Sequence, residues 1–171
     1  MRHAIRLLVI MVLCGAVLNA QGAAKQSIEG VWKVSEIVVT GAGASTISSP
    51  QPGLFIFTRS HYSIMYVPGS KPRALKKAEA ETTDEKIAAF DSFLANAGAY
   101  ELAGSTLTIR PIVARDPNYM VGGFNKYEVR IDGKTLTLTN KSTDLNMRFG
   151  EHVVPSKAPA SEIRIKLVRL E

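Results

Sequence analysis

From residue 27 onwards, short apolar runs with partial two-residue alternation are separated by turn residues, the pattern of antiparallel strands. The first run, GVWKVSEIVVT (30–40), is rich in valine and isoleucine. GAGASTISSPQPG (41–53) then reads as a Gly/Ser/Pro loop. LFIF (54–57) and YSIMYV (62–67) flank TRSH and predict a hairpin, and PGSKP (68–72) ends it. Later strands are expected at AYEL (99–102), TLTIRPIVA (106–114), FNKYEVRI (124–131) and TLTLTN (135–140), the last two joined by the hairpin signal Asp132-Gly133. The stretch 141–161 is irregular, with one short strand expected over 145–149, and EIRIKLVRL (162–170) alternates cleanly as a closing strand. About eight strands at this spacing predict an all-β antiparallel barrel or sandwich.

One helix interrupts the strands. Thr82 followed by Glu85 forms a capping box, and Ile87, Phe90, Phe93, Leu94 and Ala97 follow at helical spacing with Gly98 as a stop. This places the helix between the third and fourth strands. RALKKAEAE (73–81) reads as a solvated connector leading into it.

The N-terminus breaks the alternating pattern. Arg2, His3 and Arg6 precede the uncharged run LLVIMVLCGAVL, and small residues follow, the order of a secretory leader. We expect a signal peptide over 1–22 and one folded domain over 23–171, which places the protein in the periplasm or outside the cell. The apolar run is too short for a membrane span of about 20 residues, so no stable span is expected after cleavage. Cys14, the single cysteine, falls inside the leader. The mature chain then has no thiol, which excludes disulfides, thiol catalysis and thiolate metal sites. Losing Arg2 and Arg6 lowers the formal charge from +6 to +4. The remaining bases are scattered and not interleaved with aromatics, so nucleic acid is not an expected partner. At 46% hydrophobic and 21% charged, the composition suits a folded core.

Several segments in consistent order resemble the bacterial lipocalin-like domain family. They are Gly30-Val31-Trp32, Lys71-Pro72-Arg73, Thr83-Asp84-Glu85-Lys86-Ile87 with Phe90, Gly98-Ala99-Tyr100-Glu101-Leu102, Pro117-Asn118-Tyr119-Met120-Val121-Gly122, and the hairpin Asp132 to Leu138. The resemblance covers 28–139 and implies a single antiparallel lipocalin-like β-barrel. Three departures bear on function. Ile109 and Arg110 stand where relatives often carry histidines. Lys126 or Arg130 stands where an arginine is sought, and Tyr119 replaces a tryptophan. The resemblance therefore speaks to fold and not to a shared ligand.

An eight-stranded barrel holds packed side chains or one small ligand. With Trp32 inward, strict alternation puts Glu36 on the same face, in the lumen with Arg110 as one possible partner; the alternative is Glu36 at the rim or outside, solvated. Trp32 reads as a structural plug, and the resemblance implies that Arg164 or Arg169 of the last strand packs over it. Phe55, Phe57, Tyr62, Tyr66 and Tyr127 are candidate lumen residues, open to being core or pocket wall. The 41–53 loop reads equally as a flap or as a connector.

Catalytic chemistry is poorly provided for. His61 and His152 are far apart and in turn-like contexts, and no nucleophile triad, phosphate loop or metal-ligand spacing occurs. No cofactor, metal or catalytic residue is expected. The residues favour an exported barrel binding a small apolar or amphipathic molecule. The alternatives are an isomerase- or cyclase-type enzyme using Glu36, Arg110 and Tyr127, or an envelope interaction protein with a filled core.

Overall fold

The computed structural model describes residues 27–72 and 82–171. The expected leader, Cys14 and the 73–81 connector lie outside the described residues. Among the described residues eleven strands form in chain order: β1 (Gly30–Gly41), β2 (Ser45–Ile47), β3 (Gly53–Phe57), β4 (His61–Tyr66), β5 (Leu94–Ala103), β6 (Thr106–Ala114), β7 (Asn125–Asp132), β8 (Thr135–Lys141), β9 (Asn146–Phe149), β10 (His152–Pro155) and β11 (Ser161–Arg169). One helix, α1 (Thr83–Asp91), lies between β4 and β5.

Eight of these strands close into an antiparallel barrel in the order β1-β3-β4-β5-β6-β7-β8-β11, with β11 pairing back onto β1. The expected eight-strand barrel is therefore present. The helix follows the fourth strand in chain order, and not the third. The count shifts because the loop expected over 41–53 contains β2, which pairs with Ile37–Val39 of β1. The irregular 141–161 stretch likewise holds two short strands where one was expected. β9 and β10 form a separate hairpin, which Asn146 ties to the barrel by reciprocal backbone bonds with Phe124.

The helix also ends earlier than its periodicity suggests. Its capping box forms as expected between Thr82 and Glu85, but the chain leaves the helix at Ser92. Leu94 and Asn96 then pair with Tyr66 and Ile64 of β4. Strand pairing overrides the helical spacing of Phe93, Leu94 and Ala97, because extending the sheet closes the barrel and buries Asn96 and Gly98. No residue of α1 is buried, and Ile87 and Phe90 are more than half exposed. Gly98, expected as a helix stop, lies within β5 at a register shift. A Cβ there would run into the Arg110 carbonyl and Pro111 of β6, so the close approach of these two strands requires glycine. Gly133 supplies the positive φ (56°) of the Asp132-Gly133 turn between β7 and β8, as expected.

The core fills one end of the barrel. Trp32, Leu107, Leu136, Leu138 and Leu167 have no exposed surface, and Ile28, Phe55, Phe57 and Ile64 pack with them. The segment before β1 folds across this end, where the Ile28 carbonyl accepts a 2.7 Å hydrogen bond from Trp32 Nε1. The Arg169 guanidinium stacks 4.1 Å from the centroid of the Trp32 ring. Arg169 also donates to the carbonyls of Ser27 (2.8 Å), Glu29 (2.7 Å) and Glu171 (3.3 Å). One side chain thereby fastens the segment before β1 and the residues after β11 over the plug. Of the two arginines offered for this role, Arg169 fills it, because it sits directly opposite Trp32 in the β1–β11 register. Arg164 differs from it by an odd number of residues and lies exposed on the outer face.

Candidate functional site

The packed core stops partway along the barrel, and a cavity of ≈ 350 Å³ occupies the other end. It begins at Phe55, Ile64 and Ile165, which are core residues that also line it. Leu94 and Ala95 of β5, Ala114 of β6 and Ile163 of β11 extend its apolar wall. Leu145, Met147, Ser156 and Ala158, from around the β9–β10 hairpin, bound it on a further side. This volume falls within the range of small-molecule sites.

The polar part of the lining comes from inward positions on several strands and from the turn after β6. Asn140 lies in register with the inward Leu136 and Leu138 of β8, and Asn125 and Tyr127 lie on β7. They form a chain of hydrogen bonds. Asn140 Nδ2 donates to Asn125 Oδ1 (3.0 Å) and to the Lys141 carbonyl (2.9 Å), and Asn125 Nδ2 donates to the Tyr127 hydroxyl oxygen (3.0 Å). Tyr119 enters from a single 3₁₀ turn, Pro117–Tyr119, capped by Asp116, whose carboxylate accepts from Asn118 N–H. Asn96 completes the polar lining from β5. Its Oδ1 and the Tyr119 hydroxyl are buried without a protein hydrogen-bond partner, an uncommon condition for buried polar atoms.

Electrostatically the interior is neutral. Burial pushes the Tyr66, Tyr119 and Tyr127 hydroxyls above the ordinary tyrosine value, and their proximity to other tyrosines raises Tyr119 and Tyr127 further. Arg115 opposes the shift at Tyr66, and the bond from Asn125 opposes it at Tyr127. These phenols remain protonated at neutral pH and act as hydrogen-bond donors or acceptors. Among the described residues two charged side chains border the cavity, Arg115 and Asp116. Arg115 is engaged with the end of α1: Nη1 donates to the carbonyls of Phe90, Asp91 and Phe93 at 3.1–3.2 Å, and its guanidinium stacks 5.1 Å from the centroid of Phe90.

Of the candidate lumen residues, Phe55, Tyr66 and Tyr127 line the cavity. Phe57 packs edge-on against Tyr100 in the core, and Tyr62 is buried outside the lining with its hydroxyl unpartnered. Glu36 faces outward, which corrects the alternation argument. A bulge between Val34 and Glu36 inserts Ser35, whose hydroxyl donates to the Lys166 carbonyl (3.0 Å). The extra residue reverses the parity of β1, so the buried Ile37 takes the inward position and Glu36 lies opposite exposed Lys166. Arg110 is also outside, stacked 5.3 Å from the centroid of Phe124, whose other cationic neighbour is Lys126 at 5.8 Å. Of the two readings of Glu36, the one outside the lumen therefore holds, and a Glu36–Arg110 pairing in the lumen is absent. At the remaining positions where the sequence departs from its relatives, Ile109 is core and Arg130 is exposed.

Sequence reasoning missed Asn96, Asn125 and Asn140, and Tyr119 stood out only as a substituted aromatic. The signal for Asn140 was available: TLTLTN places a polar residue on the parity of two leucines. Asn96 carried no such signal, because its segment reads as helix. Among the described residues no three His, Cys, Asp or Glu side chains cluster as metal ligands, and no helix is long and apolar enough to cross a membrane. His61 and His152 are both exposed.

A family model described as a lipocalin-like domain matches residues 29–154, most of the chain. Comparison with curated proteins and with solved structures gave no match.

Proposed function

The chain belongs to the lipocalin-like domain family, and we propose that it is an exported carrier that holds one small apolar or amphipathic molecule in its lumen without covalent chemistry. The observation that carries this reading is the ≈ 350 Å³ cavity, with an apolar wall and a few fixed polar groups. Phe55, Tyr66 and Tyr127 contact the ligand, together with Asn96 and Tyr119. Export rests on the leader-like order of residues 1–22. The enzyme alternative is weaker, since Glu36 and Arg110, two of the three residues it drew on, are outside the barrel. A filled-core interaction protein is weaker too, since the core occupies one end of the barrel.

Native mass spectrometry of the protein recovered from the periplasm tests both parts. A molecule co-purifying with the wild type and lost from Ala114→Trp, which fills the lumen, is the expected result. A consistently empty protein that also fails to bind apolar probes sinks the binding reading. Accumulation of the full-length chain in the cytoplasm sinks export.

A further inference from the structure

We infer that the lumen is built for an uncharged amphipathic ligand whose polar end is a hydroxyl, meeting the Tyr119 hydroxyl and Asn96 Oδ1. This deepens the lumen-binding reading and rests on it. Tyr119 and Asn96 are each less than a tenth exposed, both line the cavity, and each has a buried polar side-chain atom with no protein partner. A carboxamide oxygen only accepts, whereas a phenol donates as well as accepts. A ligand group that both accepts and donates suits either atom, and a hydroxyl is the smallest that does. The neighbouring Tyr127 oxygen already accepts from Asn125.

The alternatives leave something unpaired. A carboxylate offers acceptors only, so Asn96 Oδ1 stays without a donor and an anion is buried. Arg115, the one cation on the lining among the described residues, has Nη1 shared among three backbone carbonyls and lies beside Asp116 in the chain. An ammonium would serve Asn96, but Asp116, the one carboxylate on the lining among the described residues, already holds the Asn118 N–H. A pure hydrocarbon satisfies neither atom. Size adds a bound: an apolar cavity of ~150 Å³ takes one benzene ring, so ≈ 350 Å³ suits a skeleton of about two rings.

The test is a matched set of probes on one skeleton, 2-naphthol, naphthalene and 2-naphthoate, titrated calorimetrically into the purified wild-type protein at neutral pH. We expect 2-naphthol to bind about tenfold more tightly than either of the others, one net hydrogen bond's worth. Tyr119→Phe and Asn96→Leu, each checked for a native melting transition, should lower the naphthol-to-naphthalene affinity ratio by about threefold to tenfold. Naphthoate binding as well as naphthol, or a flat ranking among all three, overturns the inference even if no variant folds. A ratio unchanged in both variants also overturns it. Failure of all three probes to bind strikes at the lumen-binding reading itself, and this inference goes with it.

Discussion

The two ends of this barrel are built from the same strands and the same inward alternation, yet they are finished in opposite ways. At one end the plug is tied down by hydrogen bonds: Trp32 bonds to Ile28, and Arg169 covers the indole and holds three carbonyls. At the other end the inward positions carry asparagine and tyrosine, space is left between them, and two polar atoms on the lining go without partners. The first arrangement is what stability selects. The second gives up packing and hydrogen bonds, and such losses are expected where a site must accept a ligand.

The largest effect is expected at alkaline pH, which acts on the tyrosines of the open end and also on Tyr62 of the core, raised by burial as well. Tyr66, Tyr119 and Tyr127 have raised values in the fold. In the unfolded chain they ionise near 10, so above that pH the unfolded state releases protons that the native state retains. Stability is therefore full below pH 10 and falls above it, by about 1.4 kcal/mol per pH unit for each tyrosine held neutral. Tyrosinate absorbance and the loss of native circular dichroism should rise together. Ionisation with an ordinary midpoint in a chain that stays folded would contradict the buried placement. Converting all three to phenylalanine should move the alkaline transition to higher pH.

At the closed end, Trp32→Ala removes the plug and should cost about 3–5 kcal/mol in urea unfolding. Arg169→Ala should cost less, about 2 kcal/mol, from the lost cation–π contact and the carbonyls left without their donor. Arg169→Lys should recover only part of this, since an ammonium cannot reproduce the guanidinium fork. A change in tryptophan emission should accompany both arginine variants. Unchanged stability and emission in Arg169→Ala would remove the lock from the account. The smallest effect is expected at the open end. Tyr119→Phe deletes a hydroxyl that has no protein partner, and should leave stability unchanged or raise it by up to about 1 kcal/mol. A loss of 2 kcal/mol or more would mean that the hydroxyl is held within the fold, and the contrast between the ends would fail there.

Much of the closed end was legible in the sequence, because its cues are local. Gly30-Val31-Trp32 opens a strand, TLTLTN alternates, and Asp132-Gly133 turns. The cation over Trp32 was narrowed to two arginines, and parity with Trp32 across β11 chooses Arg169. The open end was far less legible. Ser35 looks like any strand residue, yet as a bulge it reverses the parity of β1 and sends Glu36 outside. Leu94 and Ala97 continue a helical spacing that is broken only by pairing with β4, and that pairing makes Asn96 a lumen residue.

Taken alone, the sequence determined the all-β class, the number of barrel strands, the capped helix start and the apolar face that closes one end. These follow from periodicity and turn chemistry acting over a few residues. The tertiary structure alone decided where the alternation slips, which polar side chains face inward, and how much of the interior remains open. Those outcomes depend on register between strands distant in the chain, and a one-residue shift moves every later side chain to the other face.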